Sequence, residues 1–143
     1  MTTTDEPTLQ DFHIDGVKHI NPTIAFELLQ KGEAVLIDVR EEIEVKLESI
    51  AIDNVLYHPM SLIMDRLEYI SKNQNIILIC PGGVRSTKVA NMLNKQGYPN
   101  VANLDGGFTM WKAQGLPFES NISFSGGCSC GCSTESKGKN GCC

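Results

Sequence analysis

Two stretches of this chain are apolar without interruption: "AVLI" ahead of Asp38, and "IILI" ahead of Cys80. A strand with one face in water alternates apolar and polar residues, so an unbroken apolar strand needs cover on both faces, as in a parallel sheet between helical layers. The remaining pattern agrees. "VKHI" (17–20) reads as a short strand, and "NPTIAFELL" follows it with Asn21 as helix cap, Pro22 in the first turn, and Ile24, Leu28 and Leu29 on one face. Gly32 closes that helix. "VLYHP" is a weaker strand stopped by Pro59, and Ser61 is placed to cap a helix through Leu62, Ile63, Leu67 and Ile70. A third helix, beginning at Ser86 with Val89, Met92 and Leu93 inward, runs to Gly97; "VANL" then gives a strand and "GGFTMWKAQG" a short helix. The charged segment "VREEIEVKLESIAIDN" has no clean period. Five strands alternating with helices predict an α/β fold, an open, mainly parallel five-stranded sheet flanked by helices on both faces.

At 143 residues the chain has room for one ordinary core. Its organisation reads as a flexible N-terminal leader over 1–15, a folded domain over 16–119 and a Cys-, Gly- and Ser-rich tail over 120–143, where nothing can pack a core. A net charge of −5 offers no field for nucleic acid. No run approaches the ~20 apolar residues of a membrane span, and the polar start lacks the marks of a signal peptide, so no membrane partner and a cytoplasmic location are expected. Of the six cysteines five stand in the last sixteen residues, which excludes a disulfide-stapled core and leaves Cys80 alone in the body. In a reducing compartment such cysteines serve metal, redox or sulfur chemistry.

Cys80 closes its strand and is followed by "PGGVRS". Open α/β sheets bind ligands beyond the carboxyl ends of their strands. Gly82 and Gly83 permit backbone conformations in which successive N–H groups turn inward as an anion nest, and the helix expected from Ser86 aims its positive end at the loop. Arg85 adds a full charge. All of these favour a thiolate, whereas an unperturbed cysteine near 8.5 is a few per cent ionised at neutral pH. A cysteine that ends an apolar strand is by itself usually a small buried hydrophobe; the glycines, the arginine and the helix start make this one a candidate nucleophile.

"CPGGVRS" resembles the active-site loop of the rhodanese (sulfurtransferase) family, whose single-domain members often read C-x-x-G-x-R-S. "HINPTIAFELL", "LIDVREEIE", "IILIC" and "NMLNKQGYPNVANLDGGFTMWKAQGLPF" resemble further family motifs in the same order, so the likeness spans roughly 16–118. The resemblance implies that Cys80 takes a sulfane sulfur as a persulfide and passes it on, with Gly82, Gly83, Val84 and Arg85 as its cradle and Ser86 at the helix start. Asp38 and Arg40 match the family's "DVR" positions, which implies a bracing role. Tyrosine phosphatases also place arginine after a loop cysteine, but five residues intervene there and only four, Pro81 to Val84, intervene here. The smaller ring suits one sulfur atom.

Some positions depart from the family pattern. Glu48 and Ser49 stand where glycine and histidine are common, and Pro81 has no N–H to offer. Arg85 is the loop's one cation with Lys88 a turn away, so polysulfide or a persulfide fits as donor as well as thiosulfate. None of His13, His19 and His58 is placed as a base. Gly106 and Gly107 lack dinucleotide spacing and read as a tight turn, and Trp111 reads as core.

The tail sets Cys128, Cys130 and Cys132 at alternate positions and ends in Cys142 and Cys143. Such sulfurs on a glycine-rich segment are suited to a soft ion, Zn(II) or Cu(I), or to resolving a persulfide. Incidental cysteines in a low-complexity end are the plain alternative. The expected function is a sulfurtransferase carrying sulfur from a small donor (thiosulfate, polysulfide or persulfide) through Cys80 to a thiol or cyanide, or to a sulfur-relay protein, with no required cofactor. The rival is a non-catalytic module delivering sulfur or metal by its tail.

Overall fold

The computed structural model describes residues 1–122. Its elements in chain order are β1 (Lys18–Ile20), α1 (Pro22–Gln30), β2 (Val35–Asp38), α2 (Glu42–Leu47), β3 (Glu48–Ile50), β4 (Val55–Tyr57), a 3-10 helix (Ile63–Tyr69), β5 (Ile76–Ile79), α3 (Val84–Lys95), β6 (Val101–Leu104), α4 (Gly107–Ala113) and β7 (Phe118–Ser120). Five strands form one sheet in the order β1-β6-β5-β2-β4, and every pairing in it is parallel. β3 and β7 pair separately and antiparallel.

The unbroken apolar runs are explained by position. β5 lies in the middle of the sheet, and its side chains divide between two cores. Ile76, Leu78 and Cys80 pack with Val89, Ala90 and Leu93 of α3 and Ile63 of the 3-10 helix. Ile77 and Ile79 pack on the other face with Ala25 and Leu29 of α1 and Phe108 and Trp111 of α4. Helices on both faces therefore cover β5 completely, as its composition requires. Asn21 caps α1 through its side-chain oxygen, which accepts from Thr23 N at 2.9 Å. Trp111 is core, and its Nε1 donates to Pro117 O at 2.8 Å.

The structure departs from the sequence reading in several places. The segment after β2 does fold, into α2 and β3, although α2 buries no residue. Ser61 does not cap a helix: its hydroxyl donates to Glu41 Oε1 at 2.9 Å, and the turn that follows is 3-10 from Ile63. The leader hydrogen-bonds to the folded body. Thr4 pairs with His19 at the outer side of β1, and the carboxylate of Asp105, 3% exposed, accepts from Thr8 N at 2.8 Å and Leu9 N at 3.0 Å. The chain also keeps bonds beyond 119, since β7 reaches Ser120 and Asn121 N donates to Leu47 O at 2.7 Å. Among the described residues no helix is long and apolar enough to cross a membrane.

Candidate active site

β5 ends at Ile79, so Cys80 is the first residue past the carboxyl edge of the central strand. The chain then turns through Pro81 and Gly82 into Gly83, whose φ of +96° belongs to the left-handed region that favours glycine. Gly83 is the cap of α3, which begins at Val84, two residues before the Ser86 start expected from sequence. The cause is the glycine: once it has turned the backbone, the next residue is already helical.

That early start aims the first amides of α3 at the sulfur. Cys80 Sγ accepts from Gly83 N at 3.1 Å and Ser86 N at 3.3 Å, and Ser86 Oγ lies 3.2 Å away. The N–H groups of Val84 and Arg85, in the first turn of α3, donate to no partner among the described residues, as expected of a helix N-terminus. Gly82 and Val84 are exposed at the rim of the loop, while Cys80 and Ser86 are buried. Of the expected cradle only Gly83 touches the sulfur through its amide, joined by Ser86, expected at the helix start; among the described residues Gly82, Val84 and Arg85 make no hydrogen bond to it.

Arg85 spans from the loop to α2, where its guanidinium meets Glu44 while its charge still acts on Cys80. Its Nη1 and Nη2 donate to the two oxygens of Glu44 at 2.8 and 2.7 Å. The guanidinium holds the Glu44 carboxyl down from the ordinary 4.5 to about 2, and the carboxylate in turn raises Arg85. Glu44 also closes the N-terminus of α2, accepting from Glu41 N at 3.0 Å.

The loop is held from below by α4. Phe108 N donates to Cys80 O at 2.8 Å and Thr109 N to Pro81 O at 3.1 Å. Gly107 makes this approach possible, since a Cβ there would stand 2.4 Å from Cys80 O and 2.8 Å from Gly83 N. The double glycine is thus more than a turn: its second member lies against the cysteine loop. Asp38 and Arg40, 0% and 4% exposed, form a bidentate pair with Nη2 to Oδ2 at 2.8 Å. Arg40 also donates to Glu48 O at 2.8 Å and stacks 4.5 Å above the Phe108 ring, so the pair ties β2 to β3 and to the first turn of α4.

Four residues at this site gave no local signal in the sequence. Glu44 is one. Asn103 approaches Ser86 Oγ with its Oδ1, and its Nδ2 donates to Gln10 Oε1 at 2.9 Å and lies 3.0 Å from His19 Nδ1. His19, read as no more than part of a strand, is fully buried, and burial lowers its pKa. The tail positions Cys128, Cys130, Cys132, Cys142 and Cys143 lie outside the described residues.

A family model for the rhodanese-like domain matches residues 21–114. A protein of Coxiella burnetii named thiosulfate sulfurtransferase GlpE is 35% identical over 96 residues, covering 67% of this chain and 88% of its own. A rhodanese-like domain protein of Staphylococcus aureus superposes with a TM-score of 0.61 at 31% identity, over 71% of this chain and 98% of its own. The rhodanese-like domain of an Anabaena protein shares the fold at TM-score 0.67 and 21% identity, over 81% and 91% of the two chains.

Proposed function

Because the chain belongs to the rhodanese-like domain family, we propose that it is a sulfurtransferase in which Cys80 carries the sulfur as a persulfide. The Cys80 thiolate attacks the outer sulfur of a donor R–S–S⁻, the S–S bond of the donor breaks, and R–S⁻ leaves with the electron pair. An acceptor thiolate then attacks the outer sulfur of Cys80–S–S⁻, and Cys80 departs as thiolate. No net oxidation occurs. The observation that carries this reading is the cradle: two amides already meet Sγ, and those of Val84 and Arg85 stand ready for the charge of one further sulfur.

The donor follows from charge. Arg85 gives both terminal nitrogens to Glu44, so its charge is shared with a carboxylate before the sulfonate of thiosulfate can reach it. Polysulfide or a low-molecular-weight persulfide is the preferred donor, and a small thiol or the thiol of a sulfur-relay protein the acceptor. No cofactor is needed. Mass spectrometry of the Cys80 peptide after brief exposure to each donor tests this. A single-sulfur adduct on Cys80 is expected, faster from polysulfide than from thiosulfate, lost on adding a thiol and absent in Cys80→Ser. A wild-type chain that gains no adduct from either donor would overturn the proposal.

A second reading rests on the C-x-C-x-C run at 128–132, a set of soft ligands suited to Zn(II) or Cu(I) delivery or to accepting sulfur. The described chain ends beside α2, where Asn121 Nδ2 donates to Lys46 O at 3.1 Å. The six residues from Ile122 to Cys128 span at most ~20 Å. A truncation after Ile122 separates the readings: unchanged turnover assigns the chemistry to the loop, while lost turnover with metal bound to the full chain assigns it to the tail.

A further inference from the structure

The leader reaches the reactive sulfur through two side-chain amides whose orientation is dictated by the backbone. Gly106 N–H can only donate, and it lies 2.9 Å from Gln10 Oε1. The carbonyls of Phe12 and Gly83 can only accept, and they lie 2.8 and 3.3 Å from Gln10 Nε2. Turning the Gln10 amide over would set oxygen against two oxygens and nitrogen against an N–H, so its direction is fixed. Thr87 Oγ1, 3.1 Å from Nε2, fits the same arrangement because its own proton goes to Gly83 O.

This direction propagates inward. Gln10 Oε1 lies 2.9 Å from Asn103 Nδ2, and only an NH2 group suits that place. The second hydrogen of Nδ2 goes to His19 Nδ1 at 3.0 Å, which makes that nitrogen a lone pair and the imidazole neutral. His19 Nε2 then donates to His13 Nδ1 at 2.8 Å. With Nδ2 so engaged, Asn103 Oδ1 must face Ser86 Oγ, with which it makes a short hydrogen bond. The amide oxygen has no hydrogen to give, so the proton between them is the serine's, and a hydroxyl has only one. Ser86 Oγ, 3.2 Å from Cys80 Sγ, is left with lone pairs toward the sulfur.

We propose that Gln10 and Asn103 are positioning residues that hold Ser86 Oγ as a hydrogen-bond acceptor toward Cys80, so that the hydroxyl favours the thiol while the Gly83 and Ser86 amides favour the thiolate. The leader thereby keeps part of the Cys80 population in reserve as the thiol, whose proton passes to solvent before the thiolate attacks a donor. The use made of this reserve rests on the sulfurtransferase reading; the hydrogen-bond direction does not.

The test is alkylation of Cys80 by iodoacetamide in the full chain, followed by mass spectrometry of the Cys80 peptide from neutral to alkaline pH. The informative quantity is the neutral-pH rate divided by the alkaline limit, which reports ionisation apart from access. In Gln10→Ala the Asn103 amide is free to turn, the serine proton moves to the sulfur, and this ratio rises about five- to tenfold. Gln10→Met, closer in volume, does the same and serves where the alanine variant does not fold. Asn103→Asp keeps Ser86 donating away from the sulfur and adds negative charge, so the ratio falls. A merely loosened loop would instead raise the alkaline limit in every variant. The proposal is overturned if the ratio stays flat or drops in both Gln10 variants, or rises in Asn103→Asp. Failure of sulfur loading in the mass experiment leaves this outcome untouched, so the two readings fail separately.

Discussion

Gly107 shows what one hydrogen in place of a methyl does for the site. Its φ is +65°, and an added Cβ would press on Cys80 O at 2.4 Å and Pro81 O at 2.7 Å, both backbone atoms that cannot swing aside. Gly107→Ala is expected to combine backbone strain with displacement of the cysteine loop, lowering stability by roughly 2 kcal/mol, read from the urea transition, and abolishing sulfur loading. A variant with wild-type stability and loading would contradict this account. The residues legible in the sequence are Cys80, Gly82, Gly83, Val84, Arg85 and Ser86, neighbours whose spacing encodes a turn into a helix. Gln10 and Asn103 stood unseen because they meet 93 positions apart, and an isolated glutamine or asparagine carries no periodic signal. Arg85 is legible as a cation, but its partner Glu44, 41 positions away, is not.

Among elements, the strands were easy to read and α2 was not. A strand buried on both faces announces itself by unbroken apolar residues, whereas α2 buries none and owes its form to end contacts: the reciprocal Glu41 and Glu44 cap, and the grip of Glu44 on Arg85. That grip links α2 to the first turn of α3, so it positions the helix whose amides face the sulfur. Glu44→Gln is expected to cost less than about 1 kcal/mol of stability, since both partners are about one-third exposed. Its effect on sulfur loading should be larger, a fall of about tenfold as α3 loses an anchor. The acid dependence has a definite sign. Folding lowers the Glu44 carboxyl from 4.5 to about 2, so its contribution is complete above 4.5 and disappears as pH falls toward 2. The difference in thermal midpoint between wild type and Glu44→Gln should therefore shrink across that interval; a difference constant in pH would reject the ion pair as its source.

For the whole molecule, the order β1-β6-β5-β2-β4 places Cys80 at the end of the middle strand, where neighbours on both sides and helices on both faces restrain it. The leader belongs to this body. Residues 4–10 make hydrogen bonds to β1, to Asp105 after β6 and to the cysteine loop, and none of this follows from a polar segment without periodicity. Deleting residues 1–9 would leave the Asp105 carboxylate without the Thr8 and Leu9 amides, at a cost of about 3 kcal/mol measurable as a lower urea midpoint. An unchanged midpoint would show that the leader adds nothing to folding.

The Thr4 contact with His19 lies along the outer side of β1, a border strand of the parallel sheet. A bare border is a template on which another chain can add a strand and begin to aggregate. With Thr4 exchanging backbone bonds there, that template is already occupied by the chain itself, and a strand from a neighbouring molecule would have to displace Thr4 before it could pair with His19.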